Sequence, residues 1–251
     1  MKASNSNTKF TYSSAINKLG LDKTKKVNEI RDNLIPNWAY GEDFANLFLP
    51  YLVIVGDSRE QDLWIKGMCD KYGIKYERAV KERTHQLENL KEGDYTFKVI
   101  WGNRTYDYDG LVAYERKGSI SEFYGNCTGY KKDKGKSDRA RLVAELNRFN
   151  LKLYKKVCLV LEFGTCIKDL INMEFSYYTT GGERITKNTH KVMYSAIQSW
   201  KQPNNKDFDV IQHYDRTTLF WLILQDMYYF YRNELRNEII EKEMYKQWLR
   251  N

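Results

Sequence analysis

The spacing of apolar and polar positions changes several times along the chain, and each change marks an element. Leu52-Val53-Ile54-Val55 is an unbroken apolar run, the pattern of a strand buried on both faces. From Ser58 to Tyr72 the period lengthens, and Leu63, Trp64, Gly67 and Met68 make the apolar side of a predicted helix. Gly73 follows where a left-handed cap is needed. A short strand is predicted near Lys75 to Val80. Thr96 to Trp101 and Thr105 to Tyr114 then flank Gly102-Asn103-Arg104, which reads as a β-hairpin. Ser119 and Glu122 have the spacing of a helix capping box. Arg139 to Phe149 reads as a helix, and Lys156 to Leu161 as a buried strand ending in Glu162. Cys166 to Lys187 looks like an irregular insertion. Thr189 to Trp200 is predicted helical, Asp209 to Gln212 a short strand, and Asp215 the cap of a long helix from Thr217 to Leu249.

This alternation of strands and helices predicts an α/β fold that begins at Tyr51. Residues 1–50 form a polar lead, expected to be partly disordered or packed on the core, with a weak helical pattern from Asp22 to Leu34. Trp38, Phe44, Leu47 and Phe48 are its candidate anchors. Residues 51–231 form the main domain and residues 232–251 a charged helical extension. With 251 residues, one sizeable core plus appendages is the natural count.

The net charge of +8 favours an anionic partner, and 20 tyrosines and 6 tryptophans add rings that can stack on unpaired bases. No apolar run is long enough to span a bilayer, so no membrane role is expected. The 4 cysteines (Cys69, Cys127, Cys158, Cys166) have no C-x-x-C spacing and the 3 histidines (His85, His190, His213) are scattered, which argues against a zinc site. Buried thiols fit a reducing, intracellular setting: cytoplasmic, or nucleoid-associated in a cell.

The chemistry gathers at strand ends. The first apolar run breaks into Gly56-Asp57-Ser58-Arg59-Glu60, charged residues at the carboxyl end of a strand, where open α/β sheets bind ligands. A helix start capped by Ser58 would also account for Glu60 and Asp57. Gly93-Asp94-Tyr95 follows, and Glu115-Arg116-Lys117 ends another apolar run. Side chains two apart on a strand share a face, so Glu115 and Lys117 converge while Arg116 points away. Two carboxylates and an ammonium suit metal-dependent phosphodiester hydrolysis, and they equally suit an ordinary salt-bridged strand.

The string Val53-Ile54-Val55-Gly56-Asp57-Ser58-Arg59-Glu60, then Lys91-Glu92-Gly93-Asp94-Tyr95, then Val112-Ala113-Tyr114-Glu115-Arg116-Lys117 resembles the ERCC4-type nuclease domain of the XPF/Mus81 family of endonucleases, in order and approximate spacing from Tyr51 to about Phe230. The resemblance implies a PD-(D/E)xK-like, restriction-endonuclease-like core: a central mixed sheet flanked by helices. It implies a divalent-metal-dependent hydrolase using Mg2+ or Mn2+ on branched DNA (flap, fork or Holliday junction) in replication, repair or recombination. Carried over by position, Asp57, Asp94 and Glu115 are metal ligands, Lys117 is the catalytic lysine, and Arg59, Glu60 and Arg116 support the site. A basic residue near the start of the helix after the Gly/Lys-rich stretch from Gly125 to Asp138 makes Arg139 a DNA contact. Lys131, Lys132, Lys134 and Lys136 read as a basic flap over the phosphate backbone or as a solvated loop.

The chain departs from the family where an Asp is expected after Glu-Arg-Lys. Ser121 stands there with Glu122 next, and Glu122 is either a helix cap or a stand-in. No helix-hairpin-helix pattern follows Phe230. Family nuclease domains pair through late helices, so a homodimer or a partner subunit is expected, with Leu219 to Leu224 and Tyr228 to Tyr231 serving either that contact or the sheet. The alternative is a catalytically inactive ERCC4-fold protein that binds DNA or scaffolds a partner.

Overall fold

The computed structural model describes residues 10–21, 41–60, 63–79, 90, 93–128, 154–179, 181–188, 191–201 and 208–249. At its centre lies a seven-stranded mixed sheet. Its strands are β1 (Leu52–Gly56), β2 (Lys75–Arg78), β3 (Tyr95–Trp101), β4 (Arg104–Asp107), β5 (Val112–Lys117), β6 (Lys156–Leu161) and, after a separate hairpin, β9 (Phe208–Gln212). The order across the sheet is β2-β1-β3-β5-β6-β9, with β4 also paired to β3. β1 and β2 are parallel, as are β5, β6 and β9, whereas β3 runs antiparallel to both β1 and β5.

Among the described residues five helices flank the sheet: α1 (Tyr12–Lys18), α2 (Trp64–Tyr72), α3 (Ile120–Thr128), α4 (Val192–Trp200) and α5 (Arg216–Trp248). Strand alternation divides the core between two layers. On β6, Cys158 and Val160 join Leu52, Ile54, Phe97 and Tyr114 in one cluster with Leu219, Phe220, Ile223, Leu224 and Met227 of α5. Val157, Leu159 and Leu161 turn to the other side, packing with Ala113 against Phe123, Met193 and Ile197.

The expected α/β architecture, with helices on both faces of a mixed sheet, is therefore present, and several elements fall where the pattern placed them. The long helix starts at Arg216, and the Asp215 carboxylate accepts from the Thr218 N–H at 2.7 Å. Gly73 caps α2 at φ 65°. Phe44 and Phe48, in a helical turn over Asp43–Phe48, are buried, and α1 adds Tyr12, Ala15 and Ile16 to the same core. Trp38 and the pattern from Asp22 to Leu34 lie outside the described residues. Of the cysteines, all thiols, Cys69, Cys127 and Cys158 are buried and Cys166 is exposed. Among the described residues no helix is long and apolar enough to cross a membrane.

Three expectations need correction. The helix expected from Ser58 begins only at Trp64, because the Asp57 carboxylate and carbonyl gather the N–H groups of Arg59 and Glu60 into a tight turn. The return arm expected from Thr105 to Tyr114 is two strands. A turn at Tyr108–Leu111, with Gly110 at φ 82°, divides β4 from β5, and both halves pair with β3. The insertion between Cys166 and Lys187 is ordered. It holds a short helical turn (Ile167–Ile171) and a hairpin of β7 (Glu174–Tyr178) and β8 (Arg184–Asn188).

The aromatic run of α5 covers the sheet. Leu219, Phe220, Trp221, Ile223 and Leu224 are buried, and the buried Trp101 indole donates to the Tyr231 hydroxyl at 2.8 Å. These residues serve the core, not an open dimer face, although Tyr229 is exposed.

Candidate active site

Because β3 is antiparallel to β1 and β5, its first residue, Tyr95, pairs with Gly56 at the end of β1 and with Tyr114 inside β5. Asp94, just ahead of β3, is laced into both: the Asp57 N–H donates to the Asp94 carbonyl at 2.8 Å, and the Asp94 N–H donates to the Tyr114 carbonyl at 2.9 Å. Gly93 makes this approach feasible. It sits at φ 81°, and a Cβ there would lie 3.1 Å from the Ala113 Cβ and 3.3 Å from the Tyr114 oxygen. The Gly-Asp pair is thus one device, a close crossing followed by the carboxylate it delivers.

That carboxylate accepts from the Arg116 N–H at 2.8 Å through Oδ2. Burial, and then the Glu115 charge, push the Asp94 carboxyl well above the ordinary aspartate range, outweighing the opposing pull of Lys117 and the Arg116 N–H. Glu115, 5% exposed, holds Lys117 Nζ at 2.5 Å with Oε1. Its other oxygen, Oε2, is buried with no hydrogen-bond partner among the described residues. Lys117 is 3% exposed; burial alone would lower its pKa, but Glu115 and Asp94 hold it above the ordinary lysine value. Glu122 Oε1 lies 3.8 Å from the same ammonium. Asp94, Glu115 and Lys117 therefore converge as the Glu-x-Lys spacing predicts.

Asp57 does not join them in the same way. It is 2% exposed, and both oxygens are taken. Oδ1 accepts from the Arg59 N–H at 2.8 Å and Nε at 2.9 Å, and Oδ2 from the Leu90 N–H at 2.8 Å and an Arg59 terminal nitrogen at 3.1 Å. With its lone pairs engaged, Asp57 acts as a bracket that ties the β1 end to Leu90. Arg59 is the exposed partner in that bracket.

Arg116 turns to the opposite face of β5. Its Nε donates to Glu162, and a terminal nitrogen lies 3.7 Å from Glu60. Glu162 also receives Arg216, at 2.8 Å, from the first turn of α5. Glu60, Arg116, Glu162 and Arg216 thus form an ion cluster that joins the β1 end, β5, β6 and α5. Sequence reasoning marked Glu162 only as the end of a strand and did not single out Arg216, since a strand-end carboxylate carries no mark of which distant arginine it meets.

Of the two readings of Glu122, the contacts are those of the helix cap, with Lys117 within reach. The Glu122 N–H donates to Ser119 Oγ at 3.2 Å, and its carboxylate accepts from the Gly118 N–H at 3.2 Å while facing Lys117. Lys131, Lys132, Lys134, Lys136 and Arg139 lie outside the described residues, as does the helix expected from Arg139.

No family model and no curated protein matches this sequence. Solved structures resemble the fold, two of them as follows. One is XPF from Aeropyrum pernix, 13% identical, with a TM-score of 0.43 over 78% of this chain and 72% of that one. The other is XPF from Aeropyrum pernix in complex with DNA, 15% identical, with a TM-score of 0.41 over 70% of this chain and 62% of that one.

A divalent cation can be tested against the residues present. Asp94 and Glu115 offer hard oxygen donors of the kind Mg2+ and Mn2+ prefer. Glu115 Oε2 is a buried acceptor left without a partner, and Asp94 bears the electrostatic cost of its neighbour. Both features fit a cation between them. Among the described residues there is no cluster of three or more His, Cys, Asp or Glu side chains placed to bind a metal, and the carboxylates that fit a cation there are Asp94 and Glu115.

Proposed function

We propose that this protein is a divalent-metal-dependent endonuclease of the ERCC4 kind that cuts DNA at branch points. The observation carrying this reading is the unpartnered, buried Glu115 Oε2 beside Asp94 and Lys117. A purely structural salt bridge would have no reason to bury a carboxylate oxygen without a donor, which costs about 1–3 kcal/mol or more. The order of Asp57, Asp94, Glu115 and Lys117 along the chain and a net charge of +8 support the same reading.

Asp94 and Glu115 would hold Mg2+ or Mn2+. The cation, when bound, supplies Lewis-acid polarisation of the scissile phosphoryl group. The carboxylates around Lys117 raise its pKa and so favour its ammonium form, which serves as a donor. Its ammonium hydrogen-bonds the attacking water or the phosphoryl oxygens and offsets their growing charge. Gly93 and the Arg116 N–H fix Asp94 so that little reorganisation remains on binding.

A second reading, a catalytically inactive DNA-binding or scaffolding protein, draws on Ser121 standing where the family places Asp. One experiment separates the two. Labelled linear, flap, fork and four-way DNA are incubated with the protein in magnesium, manganese or EDTA, beside Lys117→Ala. Cutting that requires metal and vanishes in Lys117→Ala is expected. Binding without cutting in either metal would overturn the enzyme reading in favour of the scaffold.

A further inference from the structure

The strands β2, β1, β5, β6 and β9 are parallel to one another and end on the same edge of the sheet, where β3 begins. That edge carries the candidate site and, beyond it, the segment after β9, which the nuclease reading does not use. Register connects the two. Lys117 is level with Leu161, Leu161 with Gln212, and the His213 N–H donates to the Leu161 carbonyl at 3.1 Å. Two strand spacings separate β5 from β9, so His213 stands about 10 Å along the edge from the backbone of Lys117.

There the chain presents a stacked aromatic pair. The His213 and Tyr214 rings lie 4.6 Å apart at an interplanar angle of 23°, and Tyr214 is 69% exposed. A single exposed tyrosine needs no explanation. This one is held. His213 Nδ1 accepts from the Asp215 N–H at 3.0 Å, and Asp215 is itself fixed by the Thr218 N–H and hydroxyl, each at 2.7 Å, as the cap of α5. The orientation of the platform is therefore set by the start of a 33-residue helix. The ions along this edge mostly compensate one another: Arg59 with Asp57, and Arg116 and Arg216 with Glu162. What the edge offers beside the site is thus a ring face more than net charge.

We infer that Tyr214, backed by His213, is a stacking platform for an unpaired DNA base next to the scissile phosphate. The inference rests on the nuclease reading for its location and adds a recognition element to it. Aromatic stacking is tolerant of base identity but needs a base free of its duplex. The platform would therefore distinguish a strand leaving a junction from a continuous duplex.

The test uses the full chain in EDTA with two probes, a fork whose unpaired arm carries 2-aminopurine near the junction and a blunt duplex. Affinity is read by anisotropy and stacking by quenching of 2-aminopurine. Wild type should quench the probe. Tyr214→Ala should bind the fork about tenfold more weakly, lose the quenching and bind the duplex as wild type does, while Tyr214→Phe should behave as wild type. Equal affinity of Tyr214→Ala for the fork, an equal loss on both probes, or failure of Tyr214→Phe to restore quenching would each overturn the inference. In a parallel magnesium reaction, cutting by wild type with an indifferent Tyr214→Ala would sink the platform and leave the nuclease standing. Quenching by a wild type that never cuts would do the reverse, and absence of binding to either probe would sink both.

Discussion

Adjacent residues of β5 feed two ionic clusters that are built alike and finished differently. On one face, Glu115 and Lys117 meet Asp94, with a carboxylate oxygen left unsatisfied and an aspartate pushed up by its neighbour. On the other, Arg116 lies between Glu60 and Glu162, and Glu162 uses both oxygens, one for Arg116 and one for Arg216. The second cluster alternates its charges and joins four parts of the fold. The first has two carboxylates against one buried ammonium, so it is short of positive charge. Buried ion pairs by themselves say little about function. Here the incompleteness separates a site from a clasp.

The contrast is broken most severely at Asp94. Asp94→Asn keeps an acceptor for the Arg116 N–H but removes the charge a cation needs, so cleavage should fall about a thousandfold. Its stability should move the other way. Because the Asp94 pKa is raised on folding, its contribution is full below the ordinary aspartate range and is lost as pH rises through the raised value. Asp94→Asn mimics the protonated form and escapes that loss. In EDTA its melting temperature should match wild type in acid and exceed it toward neutral pH. A variant less stable than wild type at neutral pH would contradict this.

On the clasp side the ranking reverses. Glu162→Ala takes the nearer of two carboxylates from Arg116, 12% exposed at its side chain, and removes the ion pair of the half-exposed Arg216. A loss of about 3 kcal/mol is expected in urea unfolding, at the low end for a broken buried pair because Arg216 can resolvate. A change below about 1 kcal/mol would mean the clasp is no stronger than a surface pair. The smallest effect belongs to Glu122, which touches both concerns weakly. Glu122→Gln retains an acceptor for the Gly118 N–H and drops a charge 3.8 Å from Lys117. Cleavage should change by less than about fivefold, in keeping with a half-exposed ion pair, and a loss as large as that of Asp94→Asn would promote Glu122 to a true stand-in.

Much of the site was legible because its logic is local. Strand alternation puts Glu115 and Lys117 on one face, and a glycine before Asp94 permits the crossing that delivers it. The order of the apolar runs likewise marked most strands of the sheet. The hydrogen bonds that occupy Asp57 were hidden for a reason equally physical. Its partners are a side chain two residues on and the Leu90 N–H, 33 residues away, and no spacing in the sequence announces the latter. The split between β4 and β5 lies at Asp109-Gly110, a turn dipeptide inside the run read as one arm of a hairpin. The hairpin β7–β8 escaped because its strands are mostly polar and exposed.

The packing of α1 has a consequence in time. Tyr12 rests edge-on against Tyr228 and Tyr231, and Arg232 reaches back across 222 residues to the Phe10 carbonyl. α1 gains the surface it docks on only once α5 has been laid over the sheet. Contacts of such long sequence separation slow folding by the loop entropy they must close. The seam between α1 and α5 therefore ties the rate of folding to a loop of more than two hundred residues.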